Sequence, residues 1–137
     1  MIKRFWINLP VKNIDQSKEF YRKLGFSVHT RADQVDQAQL VIGNTDTSIM
    51  LFPESTFKHF TRNEIVDTKL ASEVLFSFDA QSREEVDRMA ELAVNAGGTL
   101  FGKPSEIQGW MYGCGFTDLD GHRWNVLYMD MARMSKN

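Results

Sequence analysis

Few residues of this 137-residue chain have the side chains that usually carry catalysis or bind metals. The three histidines are His29, His59 and His122, and the single cysteine is Cys114. His29 stands at a predicted strand end and His122 follows a turn, so only His59, in a long connection, is a candidate ligand-binding residue. Cys114 lies between two glycines in a predicted strand, which favours a buried, unreactive thiol over a nucleophile. No catalytic triad and no glycine-rich phosphate loop is evident, so the residues alone do not predict nucleophilic or phosphoryl chemistry.

The first half of the chain has the pattern of a strand, a helix and three further strands. Residues 3–11 alternate in polarity and are rich in β-formers. Asn13 with Gln16 three positions later predicts a capped helix start, and Gly25 predicts its end. The three short strands that follow are predicted at residues 26–31, 38–43 and 47–52.

The second half repeats this order. Residues 73–79 predict a strand, Ser82 with Glu85 predicts a capping box, and Gly97 predicts the helix end. The remaining strands are predicted at residues 99–102, 111–117 and 122–129. The turn before the last strand contains Asp and Gly, the residue types that tight turns favour.

The repeated order predicts an α+β fold in which tandem βαβββ repeats form a cupped mixed β-sheet with helices on the convex side. Residues 1–137 would make one domain, with halves 1–53 and 72–137 joined by a flap segment, 54–71. This join is long for a compact domain, and long connections are often functional. Its aromatic residues favour a short helix or flap that folds over a ligand cleft.

Strand alternation indicates which side chains would face such a cleft. Since neighbouring side chains point to opposite faces, Trp6 and Asn8 in the first half should lie on the face away from the helix. Leu75 and Asn125 should do the same in the second half, together with Glu73. In an apolar cleft Glu73 could have a raised pKa and act as a general base. The alternative is a carboxylate paired with a nearby Lys or Arg.

Composition narrows the class of partner. The net charge is −2, and the basic residues are scattered among the acidic ones, which argues against nucleic acid. Apolar stretches are too short to cross a membrane, and one cysteine excludes an intrachain disulfide, so we expect a cytoplasmic protein. Seven Met and 12% aromatic residues fit either a core or an apolar ligand cavity. A small molecule is the expected partner.

Two stretches of the chain carry a family resemblance. Residues 7–26, INLPVKN…EFYRKLGF, and residues 116–126, FTDLDGHRWNV, resemble the opening and closing motifs of the glyoxalase/bleomycin-resistance/dioxygenase (vicinal oxygen chelate) superfamily. The chain is also similar to small bacterial proteins labelled as predicted lactoylglutathione lyases. The resemblance implies the tandem βαβββ fold and a homodimer in which paired chains complete the burial.

The resemblance further implies a metal site formed by four inward side chains, two from each half. Carried over by position, these would be Trp6, Met50, Glu73 and Asn125. Indole and thioether are poor ligands for divalent metals, and Asn is a neutral donor, so only Glu73 is a good ligand. We therefore expect no cofactor, and a divalent metal is disfavoured.

Three functions remain open. The first is a metal-free binding protein for a small aromatic or apolar molecule. The second is a glyoxalase-like lyase or isomerase that uses Glu73 as base or as metal ligand. The third is a protein whose purpose is its dimer surface. The expected ligand-binding residues are Trp6, Asn8, Met50, Phe52, His59, Phe60, Leu75, Tyr112 and Asn125.

Overall fold

A computed structural model describes residues 1–134, in which the chain divides into two compact units. The first unit is Met1–Asp67, and the second begins at Thr68. This division falls inside the join predicted at residues 54–71. The expected domain also includes residues 135–137, which lie outside the described residues.

The first unit contains a four-stranded mixed sheet in the order β1-β4-β3-β2. Strand β1 pairs with β4 in parallel, and the other neighbours are antiparallel. The elements are β1 (Trp6–Val11), α1 (Ile14–Lys23), β2 (Ser27–His29), β3 (Ala38–Val41), β4 (Ser48–Pro53) and α2 (Glu54–Thr61).

The second unit repeats this topology, with a sheet in the order β5-β8-β7-β6 and a parallel β5–β8 pair. Its elements are β5 (Leu75–Asp79), α3 (Arg83–Asn95), β6 (Thr99–Ile107), β7 (Met111–Thr117), β8 (Arg123–Met129) and α4 (Met131–Met134). The predicted α+β class and the two βαβββ repeats are thus confirmed. Within residues 1–134, no helix combines the length and the apolar character that a membrane span requires.

Local capping contacts explain where the two long helices begin. The side chain of Asn13 accepts a hydrogen bond from the Gln16 amide at 3.0 Å, as the sequence predicts. Ser82 likewise accepts from the Glu85 amide at 3.1 Å. The Glu85 carboxylate, however, accepts from the Gln81 amide at 2.6 Å rather than from the Ser82 amide. The return half of the capping box therefore falls one residue earlier than the standard pattern.

The core of each unit lies between its sheet and its long helix. In the first unit the fully buried side chains include Val11, Leu40 and Phe20 of α1. In the second unit the rings of Phe116 and Trp124 stack, with centroids 6.3 Å apart. The core therefore covers one face of each sheet, and the opposite face is the place to look for a site.

Strand β6 is longer than predicted. The sequence placed this strand at residues 99–102, but it continues to Ile107. Gly102 and Pro104 suggested an early end, because both residues weaken a regular ladder. In the structure β6 is the edge strand of its sheet, and register shifts on either side of Gly102 absorb the irregularity.

Candidate functional site

The first sheet presents a mixed surface on the face turned away from α1. Asn8, Met50 and Gln39 are register partners across three strands, so their side chains share this face. Trp6 lies one row away beside Ser48, and 54% of it is exposed. The structure therefore brings together the first-half residues Trp6, Asn8 and Met50 as an open apolar and amide surface.

Helix α2 covers one end of the same face. Phe52 is buried, and its ring meets the Phe60 ring edge to face with centroids 5.3 Å apart. His59 and Phe60 are exposed, with their rings 6.1 Å apart. The expected short helix in the join is present. Phe52 was predicted to bind the ligand, but its buried ring packs against this helix and does not form part of an open surface.

The second sheet presents an equivalent face, turned away from α3. Ser77, Asn125 and Gly115 form one row, and Leu75 with Arg123 begins the next. Leu75 is 51% exposed. The Oδ1 atom of Asn125 is buried and has no hydrogen-bond partner among the described residues. Since buried polar atoms are nearly always paired, this acceptor stands out.

The ring of Phe101 is an unpredicted part of this face. A Cβ atom on Gly115 would overlap the Phe101 ring, so the ring lies directly over the backbone next to Asn125. The Arg123 guanidinium lies 4.5 Å from the centroid of the same ring, a cation–π distance. A glycine inside a strand often marks such a close approach, and Gly115 was the available signal.

Tyr112, which the sequence analysis counts among the ligand-binding residues, lies on the side of the sheet that faces α3. Its hydroxyl donates to the Asp87 carboxylate of α3 at 2.7 Å, and the Arg83 guanidinium lies 4.9 Å from its ring. The hydrogen bond to Asp87 raises the pKa of Tyr112. Tyr112 therefore joins β7 to α3 and does not share a face with Asn125.

Glu73 precedes strand β5 and is exposed. None of the ion pairs within residues 1–134 includes Glu73. The register partner of Asn125 in β5 is Ser77, not Glu73. An exposed carboxylate also lacks the apolar surroundings on which the general-base interpretation depended, although it is accessible to a substrate.

The remaining reactive side chains lie away from both faces or are exposed to solvent. Cys114 is buried against α3, with its Sγ atom 3.8 Å from the Val86 carbonyl oxygen. The predicted burial is confirmed, and it raises the pKa of this thiol to about 11, which disfavours the reactive thiolate at neutral pH. His29 is the exposed last residue of β2, also as predicted.

The residues at the four implied metal positions do not fit a catalytic divalent ion. Trp6 and Met50 offer no ligand of suitable hardness, and Asn125 offers one neutral oxygen. Among residues 1–134 no three His, Cys, Asp or Glu side chains are grouped in a way that would hold a metal. Glu73 alone is a strong donor, and one carboxylate does not provide a firmly held Lewis acid.

The sequence profile of the glyoxalase/bleomycin resistance protein/dioxygenase superfamily matches residues 3–126. The chain belongs to this superfamily. A comparison of this chain with curated proteins found no match.

Solved structures of the same fold agree with this assignment. The hypothetical protein SA1046 from S. aureus is 32% identical, with 93% of this chain and 95% of that chain covered and a TM-score of 0.85. A glyoxalase/bleomycin resistance protein/dioxygenase family enzyme from Burkholderia phytofirmans PsJN is 20% identical, with 90% and 96% covered and a TM-score of 0.76. TnmS3, an antibiotic binding protein from Streptomyces sp. CB03234, is 17% identical, with 94% and 97% covered and a TM-score of 0.62. The last two show likeness of fold alone.

Proposed function

We propose that this superfamily member binds a small aromatic or apolar molecule on the sheet faces turned away from α1 and α3, without a bound metal. The supporting observation is that each face exposes a large apolar side chain. Trp6 is 54% exposed on the first sheet, and Leu75 and Phe101 are 51% and 45% exposed on the second. Grouped apolar surface of this kind commonly marks a binding site.

The donor set at the implied metal positions favours binding over metal-dependent catalysis. An indole and a thioether offer apolar, polarisable contact to a ligand instead of coordination. The relative TnmS3 is described as an antibiotic binding protein, so the same fold carries a binding role elsewhere. A small aromatic or apolar molecule suits the exposed apolar side chains of each unit taken by itself.

A second candidate function is a glyoxalase-like lyase or isomerase, as in lactoylglutathione lyases. The observation in its favour is that Glu73 is exposed and free of ion pairs within residues 1–134, so that it is accessible to a substrate. Glu73 would remove a proton from a carbon next to a carbonyl and return it to the neighbouring carbon. The C=O double bond would move to the first carbon and the hydroxyl proton from one oxygen to the other, so that the composition of the substrate stays the same.

One experiment separates the two functions. We expect a panel of small aromatic molecules to raise the melting temperature equally with and without a chelator, because a ligand that prefers the folded state stabilises it. Turnover of the hemithioacetal of methylglyoxal and glutathione should be absent. Turnover that is lost in Glu73→Gln would support the enzyme instead.

The role of Trp6 is tested by fluorescence. An aromatic ligand on the first sheet should quench the Trp6 emission, and the change should disappear in Trp6→Phe. An unchanged signal in that variant would exclude Trp6 from the binding surface, because Trp110 and Trp124 would then account for the change.

A further inference from the structure

The second sheet contains an acceptor that the fold leaves unused. The Oδ1 atom of Asn125 is buried without a hydrogen-bond partner among the described residues. Its register neighbours on the same face are Ser77 and Gly115, and neither donates to it. A buried acceptor without a donor is unfavourable, and its retention is explained if a bound molecule supplies the donor.

The cation Arg123 lies on the same face. Arg123 forms no ion pair within the part of the chain that the structure describes. Its guanidinium carbon lies over the Phe101 ring, 4.5 Å from the centroid. The N–H groups of a guanidinium match a planar carboxylate.

The spacing of these two groups restricts the ligand. Arg123 and Asn125 are two residues apart on β8, which places their Cα atoms about 7 Å from each other. Two separate attachment points on one strand suit a ligand that has its carboxylate and its donor on different groups. Leu75, the register partner of Arg123, and the Phe101 ring provide exposed apolar contact for the part between.

We propose that this face binds an aromatic acid, with its carboxylate on Arg123 and an O–H or N–H at its other end donating to Asn125 Oδ1. The proposal rests on the proposed function, because it names the class of small molecule that the protein binds. It assigns Arg123 the charge recognition, Asn125 the recognition of the donor, and the exposed parts of Leu75 and Phe101 the apolar contact.

The test is titration calorimetry with three compounds. 4-Hydroxybenzoate has both the carboxylate and the hydroxyl donor, benzoate lacks the donor, and methyl 4-hydroxybenzoate lacks the charge. We expect 4-hydroxybenzoate to bind most tightly, and each of the other two about ten- to a hundredfold more weakly, as the loss of one charge-assisted or buried hydrogen bond predicts. Raising the salt concentration should weaken the binding of the two acids and leave the binding of the ester unchanged.

Variants assign each effect to a residue. Arg123→Gln should lower the affinity for 4-hydroxybenzoate about ten- to a hundredfold and leave the affinity for the ester unchanged. Arg123→Lys should lower the affinity for 4-hydroxybenzoate by a smaller factor. Asn125→Leu should lower the affinity for 4-hydroxybenzoate and leave the affinity for benzoate unchanged. Arg88→Gln on α3 is the matched control and should bind as the parent does. Melting curves verify that each variant is folded.

The outcomes distinguish the subsite from the proposed function. If the ester binds as tightly as the acid, or if Arg123→Gln weakens both alike, the acid-binding subsite is wrong while binding of aromatic molecules stands. If neither the acids nor the ester bind, and the wider aromatic panel gives no melting shift, the proposed function fails as well.

Discussion

Replacing Asn125 by leucine should stabilise the protein in the absence of ligand. Its Oδ1 atom is buried and has no hydrogen-bond partner within residues 1–134, and an unsatisfied buried acceptor costs about 1–3 kcal/mol. Leucine has a similar shape and no polar atom, so the free energy of unfolding should rise by about 1–2 kcal/mol. For a chain of this size, the melting temperature should rise by roughly 3–10 °C.

Urea unfolding and calorimetry of the ligand-free protein measure this change. The matched control is Asn8→Leu, which makes the same substitution at an exposed position of the first sheet. That control should stay within about 0.5 kcal/mol of the parent. If Asn125→Leu is instead less stable than the parent by about 1 kcal/mol or more, Oδ1 has a structural role, and the reasoning that reserves it for a ligand is refuted.

Three further predictions concern the turn, the thiol and the assembly. Gly121 has a φ of +84°, and a Cβ there would overlap Thr68, so Gly121→Ala should lower the free energy of unfolding by about 2 kcal/mol or more. Gly109→Ala, at a φ of +76° in open space, should cost only about 1 kcal/mol, and equal costs would contradict the steric account. The Cys114 thiol has its pKa raised from 9.0 to about 11. The protein should therefore lose up to about 3 kcal/mol of stability as the pH rises from about 9 through about 11, because the unfolded thiol ionises first. Urea unfolding should show that Cys114→Ala lacks this loss, and a parallel loss in both proteins would contradict it. Finally, we expect the homodimer that the family resemblance implies, since two-fold dimers are the commonest oligomers. Sedimentation equilibrium should then give about twice 15.8 kDa at tens of micromolar, and a single 15.8 kDa species would refute the homodimer.

Local interactions explain why most of the fold could be predicted from the sequence. Asn13 and Ser82 cap their helices through contacts that span only three residues. The turn before β8 is equally local, since the Asp118 carboxylate accepts from the amides of Asp120 and His122, each at 2.9 Å. Features of this kind depend on neighbouring residues alone.

Tyr112 was misplaced although the pattern of β7 contained the correct answer. Tyr112, Cys114 and Phe116 alternate with Gly113 and Gly115, so the large side chains share one face. That face packs on α3, as the Tyr112–Asp87 hydrogen bond shows. Counting the alternation from Phe116 would have placed Tyr112 with the core.

The ligand-facing details could not be predicted because they depend on contacts between distant strands. Phe101 reaches Gly115 only because the register shifts within β6, and no local pattern reports such a shift. The unpaired state of Asn125 Oδ1 likewise depends on every atom packed around it.

The most direct test of metal-free binding is a thermal melt of tag-free, untreated protein with 4-hydroxybenzoate, in the presence and absence of a chelator. The account predicts a rise in melting temperature that the chelator does not change and that Arg123→Gln reduces. A rise that the chelator abolishes and that added nickel, zinc or iron restores would contradict the account, as would no rise with any aromatic molecule of the panel.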